Sequence, residues 1–180
     1  MRFHCTKKLF DKLDLPDEQM QTNSESELIK RWINWHANVV TIQRRQNLIF
    51  VNDATRFAVF LPCITTKQLK NLPLVFQDFF INSLLKAELP TELIEKAASS
   101  IQSENYSFDS ECSRSVQGTM RLMVLDVEIT LNYRNQKITE LLPYSTSVML
   151  SDRPCTVKGI KEAIWPIREM AQLLKQLPAV

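Results

Sequence analysis

Apolar runs broken by polar, turn-forming residues pattern residues 35–61, WHANVVTIQRRQNLIFVNDATRFAVFL, and this stretch reads as three consecutive antiparallel strands. Val39, Val40 and Ile42 belong to the first strand, and residues 44–47 are the expected turn. Residues 48–51, LIFV, are apolar on both parities, which predicts a strand covered on both faces. Asn52-Asp53 is a second turn signal, or a bulge. Residues 55–61 return as the third strand, and Pro62 ends it because proline has no N–H to give the ladder. Ahead of the meander, residues 2–6 form a short strand candidate. Thr6 is placed to cap a helix with Leu9, Phe10 and Leu13 on one face. A polar surface loop is expected over residues 14–24, and Ser24 and Glu27 have capping-box spacing for a helix running to Trp32.

Beyond the meander the period becomes helical. Residues 66–70 form one turn, and Pro73 suits the first position of a longer helix. Val75, Phe76, Phe79, Phe80, Leu84 and Leu85 make a broad stripe on that helix, fit to cover a sheet. Pro90 starts another helix, with Leu93, Ile94, Ala97 and Ile101 inward, and residues 106–108 are an edge-strand candidate. From Ser115, the residues Val116, Met120, Met123, Val124, Val127 and Leu131 fall at helical spacing. Residues 127–133 also alternate as a strand would, so the helix competes with a helix-then-strand alternative. Residues 139–155 give no clear pattern. Thr156 is placed to cap a final helix carrying Ile160, Ile164, Ile167, Met170 and Leu174, with a kink expected at Pro166. The predicted fold is α+β in a single domain, residues 1–180: a small antiparallel sheet centred on the meander, with the N-terminal strand added and four to six helices mainly on one face.

Composition narrows the function classes. The chain has 180 residues, enough for one sizeable core, and its formal net charge of +2 gives no general attraction to polyanions. No run approaches the ~18 apolar residues of a membrane helix, and the N-terminus lacks signal-peptide character, so a cytoplasmic location is expected. Cys5, Cys63, Cys112 and Cys155 are too widely spaced for a zinc site and read as reduced thiols. Glycine is limited to Gly118 and Gly159, which excludes the phosphate loop, the dinucleotide turn and the nucleophile elbow. Turns are then expected to use Asn, Asp, Ser and Pro.

Several motifs occur in a set order: MRFHCTKKLFDKL at the start, WHAN at residues 35–38, Arg44-Arg45, FVNDAT at residues 50–55 and RSVQGTM at residues 114–120. This set resembles an uncharacterised bacterial domain-of-unknown-function family, over residues 1 to about 125. Arg121-Leu122 stand where an Asn-Asp pair often follows in that pattern. The resemblance implies a single-domain bacterial protein and supplies no catalytic residues.

Candidate chemistry collects around the meander. With the turn at residues 44–47, His36 pairs near Thr55, close to Asp53, and Arg56 is able to join them. A histidine oriented by a carboxylate is a usable general base. The alternative is that His36 and Asp53 only pin a turn. Asn38, Asn52, Thr55, Arg56, Arg114 and Ser115 are candidate ligand-binding residues, the last two at a helix start suited to an anion. Arg44 and Arg45 form a second anion-binding candidate at the opposite end of the hairpin, or a solvated turn. His4, with Lys7 or Lys8, would allow acid–base RNA cleavage only if its strand lay beside the meander. Gly118 costs about 1 kcal/mol in a helix relative to alanine, so close packing or approach to a ligand is expected there. No metal or other cofactor is expected.

The leading reading is a binding or interaction module with no chemistry of its own, with a homodimer as its candidate assembly. A small hydrolase-like enzyme using His36 with Asp53 is the alternative. Nucleic-acid binding through Arg44 and Arg45 is a third and weaker reading, and no membrane partner is expected.

Overall fold

The computed structural model describes residues 1–13, 26–101, 106–157 and 159–178. The fold is α+β, built on a five-stranded mixed sheet in the order β4-β3-β2-β1-β5. Its strands are β1 (Arg2–Cys5), β2 (Asn34–Ile42), β3 (Arg45–Asn52), β4 (Ala58–Leu61) and β5 (Ser107–Asp109). The meander β2-β3-β4 is antiparallel, as expected for consecutive strands joined by short turns. β1 joins β2 in parallel, and β5 joins the free side of β1, also in parallel.

The β2–β3 turn is shorter than expected. Ile42 pairs with Arg45, so only Gln43 and Arg44 make the turn, with φ of 46° and 64°. A two-residue hairpin needs positive φ at both central positions, where Gly and Asn are favoured. Here two ordinary residues adopt it. The expected turn at residues 44–47 is therefore corrected, and His36 pairs with Val51 rather than with a residue near 55. Asn47, which resembled turn chemistry, is buried in β3, where its side chain donates to Arg45 O and accepts from Cys63 N.

Strand alternation sorts the core onto both faces. Phe3, Trp35, Val39, Leu48, Phe50, Val59 and Leu61 point to one side. There α4 (Leu72–Lys86) lays Phe76 between the rings of Phe3 at 4.9 Å, Trp35 at 5.0 Å and Phe50 at 4.9 Å. Ile42, Ile49, Val51, Ala58 and Phe60 point to the other side, onto Val116, Met120, Met123, Val127 and Leu131 of α6 (Arg114–Tyr133). Most of the helices contribute to the Phe76 side, in line with coverage mainly on one face, but α6 covers the opposite side as well, and β3 is apolar on both parities because each face meets a helix. α6 is one continuous helix, so the strand alternative for residues 127–133 does not hold.

The remaining elements are α1 (Lys7–Leu13), α2 (Glu27–Ile33), α3 (Thr66–Lys70), α5 (Thr91–Ser100), α7 (Pro143–Ser151), α8 (Pro166–Gln176) and a 3-10 turn at Ile138–Glu140. The described residues hold eight α-helices, more than the four to six expected. Ser26 caps α2, and Ser24 with residues 14–24 lies outside the described residues. Thr6 stands at the N-cap position of α1, its carbonyl accepting from Leu9 N and Phe10 N, while its hydroxyl donates to Asn38 Oδ1 at 2.7 Å rather than accepting from the helix. α8 starts at Pro166, where a missing N–H costs nothing, so Pro166 begins that helix rather than kinking one begun at Thr156. Before it, Cys155 and Ile164 exchange backbone hydrogen bonds at 2.8 Å.

α7 protects the edge of the sheet. Ser147 Oγ accepts from Phe60 N at 3.0 Å and Ser151 Oγ accepts from Ala58 N at 2.9 Å, so β4's outer donors are met by side chains rather than another strand. The aromatic knot around Phe76 is the test of the larger core. Phe76→Ala is expected to lower unfolding free energy by about 3–5 kcal/mol in urea titration. A loss below about 1 kcal/mol would contradict its central place.

Candidate functional site

The α6-facing side of the sheet changes character across its width. Over β3 and β4 it is apolar, while over β1, β5 and the start of β2 it carries His4, Asp109 and His36. Parallel register sets His4 opposite His36, with ring centroids 5.1 Å apart, and sets Asp109 opposite His4. The sheet thereby gathers two His–Asp pairs. His36 Nδ1 lies 2.6 Å from Asp53 Oδ1, and His4 Nδ1 lies 2.8 Å from Asp109 Oδ1.

The two histidines differ in what remains free. Ser113 N donates to His36 Nε2 at 2.6 Å. A backbone N–H only donates, so Nε2 is the acceptor and the ring proton sits on Nδ1, directed at Asp53. His36 is 1% exposed. Both of its nitrogens are engaged within the fold, and neither is left for a substrate. His4 is half-buried, and its Nε2 has no hydrogen-bond partner among the described residues.

Charge follows the same geometry. Burial pulls the His4 pKa down, but the Asp109 hydrogen bond and the charges of Asp109 and Asp53 outweigh it, leaving the pKa raised. Burial pushes Asp109 up, yet its bonds to His4 and to Glu111 N and the His4 charge bring it below the ordinary carboxylate range. Cys112 lies beside this cluster, its Sγ 3.6 Å from His4 O. Burial raises its pKa, and the Asp109 and Asp53 charges add to that against a bond from Gln117. The thiol is therefore not activated as a nucleophile. Burial pushes Cys5 up to about 12.

Asn52 holds the β3–β4 turn. Its Nδ2 donates to Arg31 O, Trp32 O and Asn34 O, and its Oδ1 accepts from Ala54 N, Thr55 N and Thr55 Oγ1. Thr55 Oγ1 in turn accepts from Phe57 N at 3.2 Å. Every polar atom of the Asn52 side chain is spent on the turn, so Asn52 and Thr55 are structural in this geometry. Asn38 Oδ1 accepts from the Thr6 hydroxyl. Arg56 is 4% exposed and sits at a positive φ of 61°. Its guanidinium donates to Asp53 O and, at 3.3 Å, to Ser115 Oγ, while its Nε is buried without a partner among the described residues. Burial lowers its pKa, partly offset by the Asp53 charge.

Of the expected site residues, His36, Asp53, Arg56 and Ser115 come together, with Arg114 exposed at the start of α6 beside them. Arg44 and Arg45 are exposed at the far end of β2, roughly 20 Å from His36 along the strand. Asp109, Cys112 and Ser113 were not singled out by sequence reasoning. The polar run DSECSRS, residues 109–115, is the one signal pointing to them. Among the described residues no group of three or more His, Cys, Asp or Glu is arranged to hold a metal ion, and no helix is long and apolar enough to cross a membrane.

Residues 2–169 match the family described as "Domain of unknown function (DUF6933)", and the chain belongs to it. No curated protein and no solved structure matches the chain.

The His4–Asp109 pair makes stability depend on pH in a definite sense. A raised His4 pKa stabilises fully below its unfolded value of 6.5, and this contribution is lost as pH rises through the folded value. A lowered Asp109 pKa stabilises above 3.8, and this contribution is lost as pH falls through the folded value. Asp109→Asn is therefore expected to remove most of the stability gained on going from about pH 8.5 to about pH 5.5, read as urea midpoints. An unchanged pH profile in that variant would contradict the pairing.

Proposed function

We propose that this protein is a protein-binding module whose contact surface is the outer face of α6. The observation that carries this is a stripe on that helix: Leu122 is 55% exposed, Leu125 48%, Ile129 55% and Tyr133 90%. A helix packed on a sheet normally turns charged and polar residues outward. Here both faces are apolar, and contiguous exposed apolar surface marks a contact site. His36 and Asp53 serve in this reading as a latch that fixes where α6 begins. Cytoplasmic placement belongs to the same reading and accords with four free thiols.

A second reading is supported by His4. Its ring is oriented by Asp109 and keeps a nitrogen free of partners among the described residues, which is the arrangement of a general base. In this enzyme reading the base is His4 rather than His36, and turnover of an activated ester would fall to background in His4→Ala.

The module reading predicts that the stripe is dispensable for folding. Leu122→Ser with Ile129→Ser is expected to keep unfolding free energy within about 0.5 kcal/mol of the parent in dilute urea titrations. A loss above about 2 kcal/mol would place these side chains in the fold instead of at an interface.

A further inference from the structure

We infer that the partner of this face is a second copy of the chain, with the two α6 helices packed antiparallel and Leu122 of each set against the partner's Leu125. This rests on the binding-module reading above and adds the occupant and its register.

Three features of α6 carry it. The exposed positions 118, 122, 125 and 129 follow one another at steps of four, three and four, the spacing of a coiled-coil seam. Gly118 lies on this seam, is exposed, and has nothing within 4 Å of where a Cβ would stand, so packing within the chain does not account for it. Arg121 and Glu128 flank the seam on the same edge, two turns apart, and neither makes an ion pair among the described residues.

Antiparallel pairing uses all three together. With the two-fold axis beside residues 123 and 124, Leu122 meets the partner's Leu125, and Gly118 faces the partner's Ile129. The missing side chain at Gly118 leaves the space that Ile129 enters. On the edge, Arg121 meets the partner's Glu128, and symmetry repeats that pair. A groove lined by Ile42, Leu125, Glu128 and Ile129 receives the Leu122 side chain of the partner subunit. Parallel pairing would set Gly118 against its own copy and leave a gap. It would also direct Arg121 toward Asp126, which is already paired with Arg153 within the chain. A contact of about three helical turns is small beside a standard interface, so a weak, reversible dimer is expected.

Sedimentation velocity of the full chain over roughly 1–300 µM tests this, beside Arg121→Glu, Glu128→Arg and the double reversal. The wild type is expected to dimerise, each single reversal to weaken association about tenfold, and the double reversal to restore it. Oxidation of a Gly118→Cys, Ile129→Cys double variant, with Cys63 and Cys112 replaced by serine, is expected to give an interchain disulfide. Gly118→Cys alone should give none, because its two copies are held roughly 16 Å apart along the axis. Cross-linking by Gly118→Cys alone would overturn the antiparallel register. So would a dimer indifferent to the charge reversals. A strict monomer across the range would overturn the second copy as occupant. It would still leave the stripe a contact surface for another protein if the serine variant keeps its stability.

Discussion

His36 uses both ring nitrogens inside the fold, and much of the arrangement on its side of the sheet depends on that. The ring stands on β2, accepts from the first backbone N–H ahead of α6, and donates to Asp53 in the turn after β3. A buried imidazole with one open nitrogen would lose roughly the desolvation cost of a polar group, about 1–3 kcal/mol. Three segments far apart in the chain thus meet at one side chain. The start of α6 is fixed in place, and with it which side of α6 turns inward.

The inward side completes a sheet that needs cover on both faces. Leu48 and Phe50 of β3 look toward Phe76, while Ile49 and Val51 look toward Met120 and Met123. Once α6 is held by His36 at one end and by this core along its length, its opposite side is committed to the exterior. The apolar stripe there is then a property of the surface and not of incomplete packing. The polar part of the same face, over β1 and β5, holds the second His–Asp pair, whose charges favour each other without an evident structural duty for His4 Nε2.

Much of this was legible in the sequence. The unbroken apolar run of residues 48–51 foretold a strand covered twice, and the spacing from Val116 to Leu131 foretold α6. The meeting of His36 with Asp53 was readable because both lie at one end of a short hairpin. Its register was not, because Gln43-Arg44 carries no turn chemistry and Asn47 does. The start of α8 was misplaced because Thr156 offers a cap and Ile160 and Ile164 fall at helical spacing, although the chain turns back through a bridge at Cys155 and Ile164. His4 with Asp109 was out of reach for another reason: their strands pair in parallel across more than a hundred residues, and no local pattern encodes that register. The outward stripe of α6 was visible only once its inward side was known, since Leu122, Leu125 and Ile129 read as ordinary apolar residues until Val116, Met120, Met123 and Val127 are assigned to the core.

The latch is tested most directly by nitrogen-15 NMR of the His36 imidazole. The expected result is a proton on Nδ1, an unprotonated Nε2 hydrogen-bonded to the Ser113 amide, and slow exchange of that amide. A ring protonated on Nε2 alone, with a freely exchanging Ser113 amide, would contradict a structural role and return His36 to the candidates for chemistry.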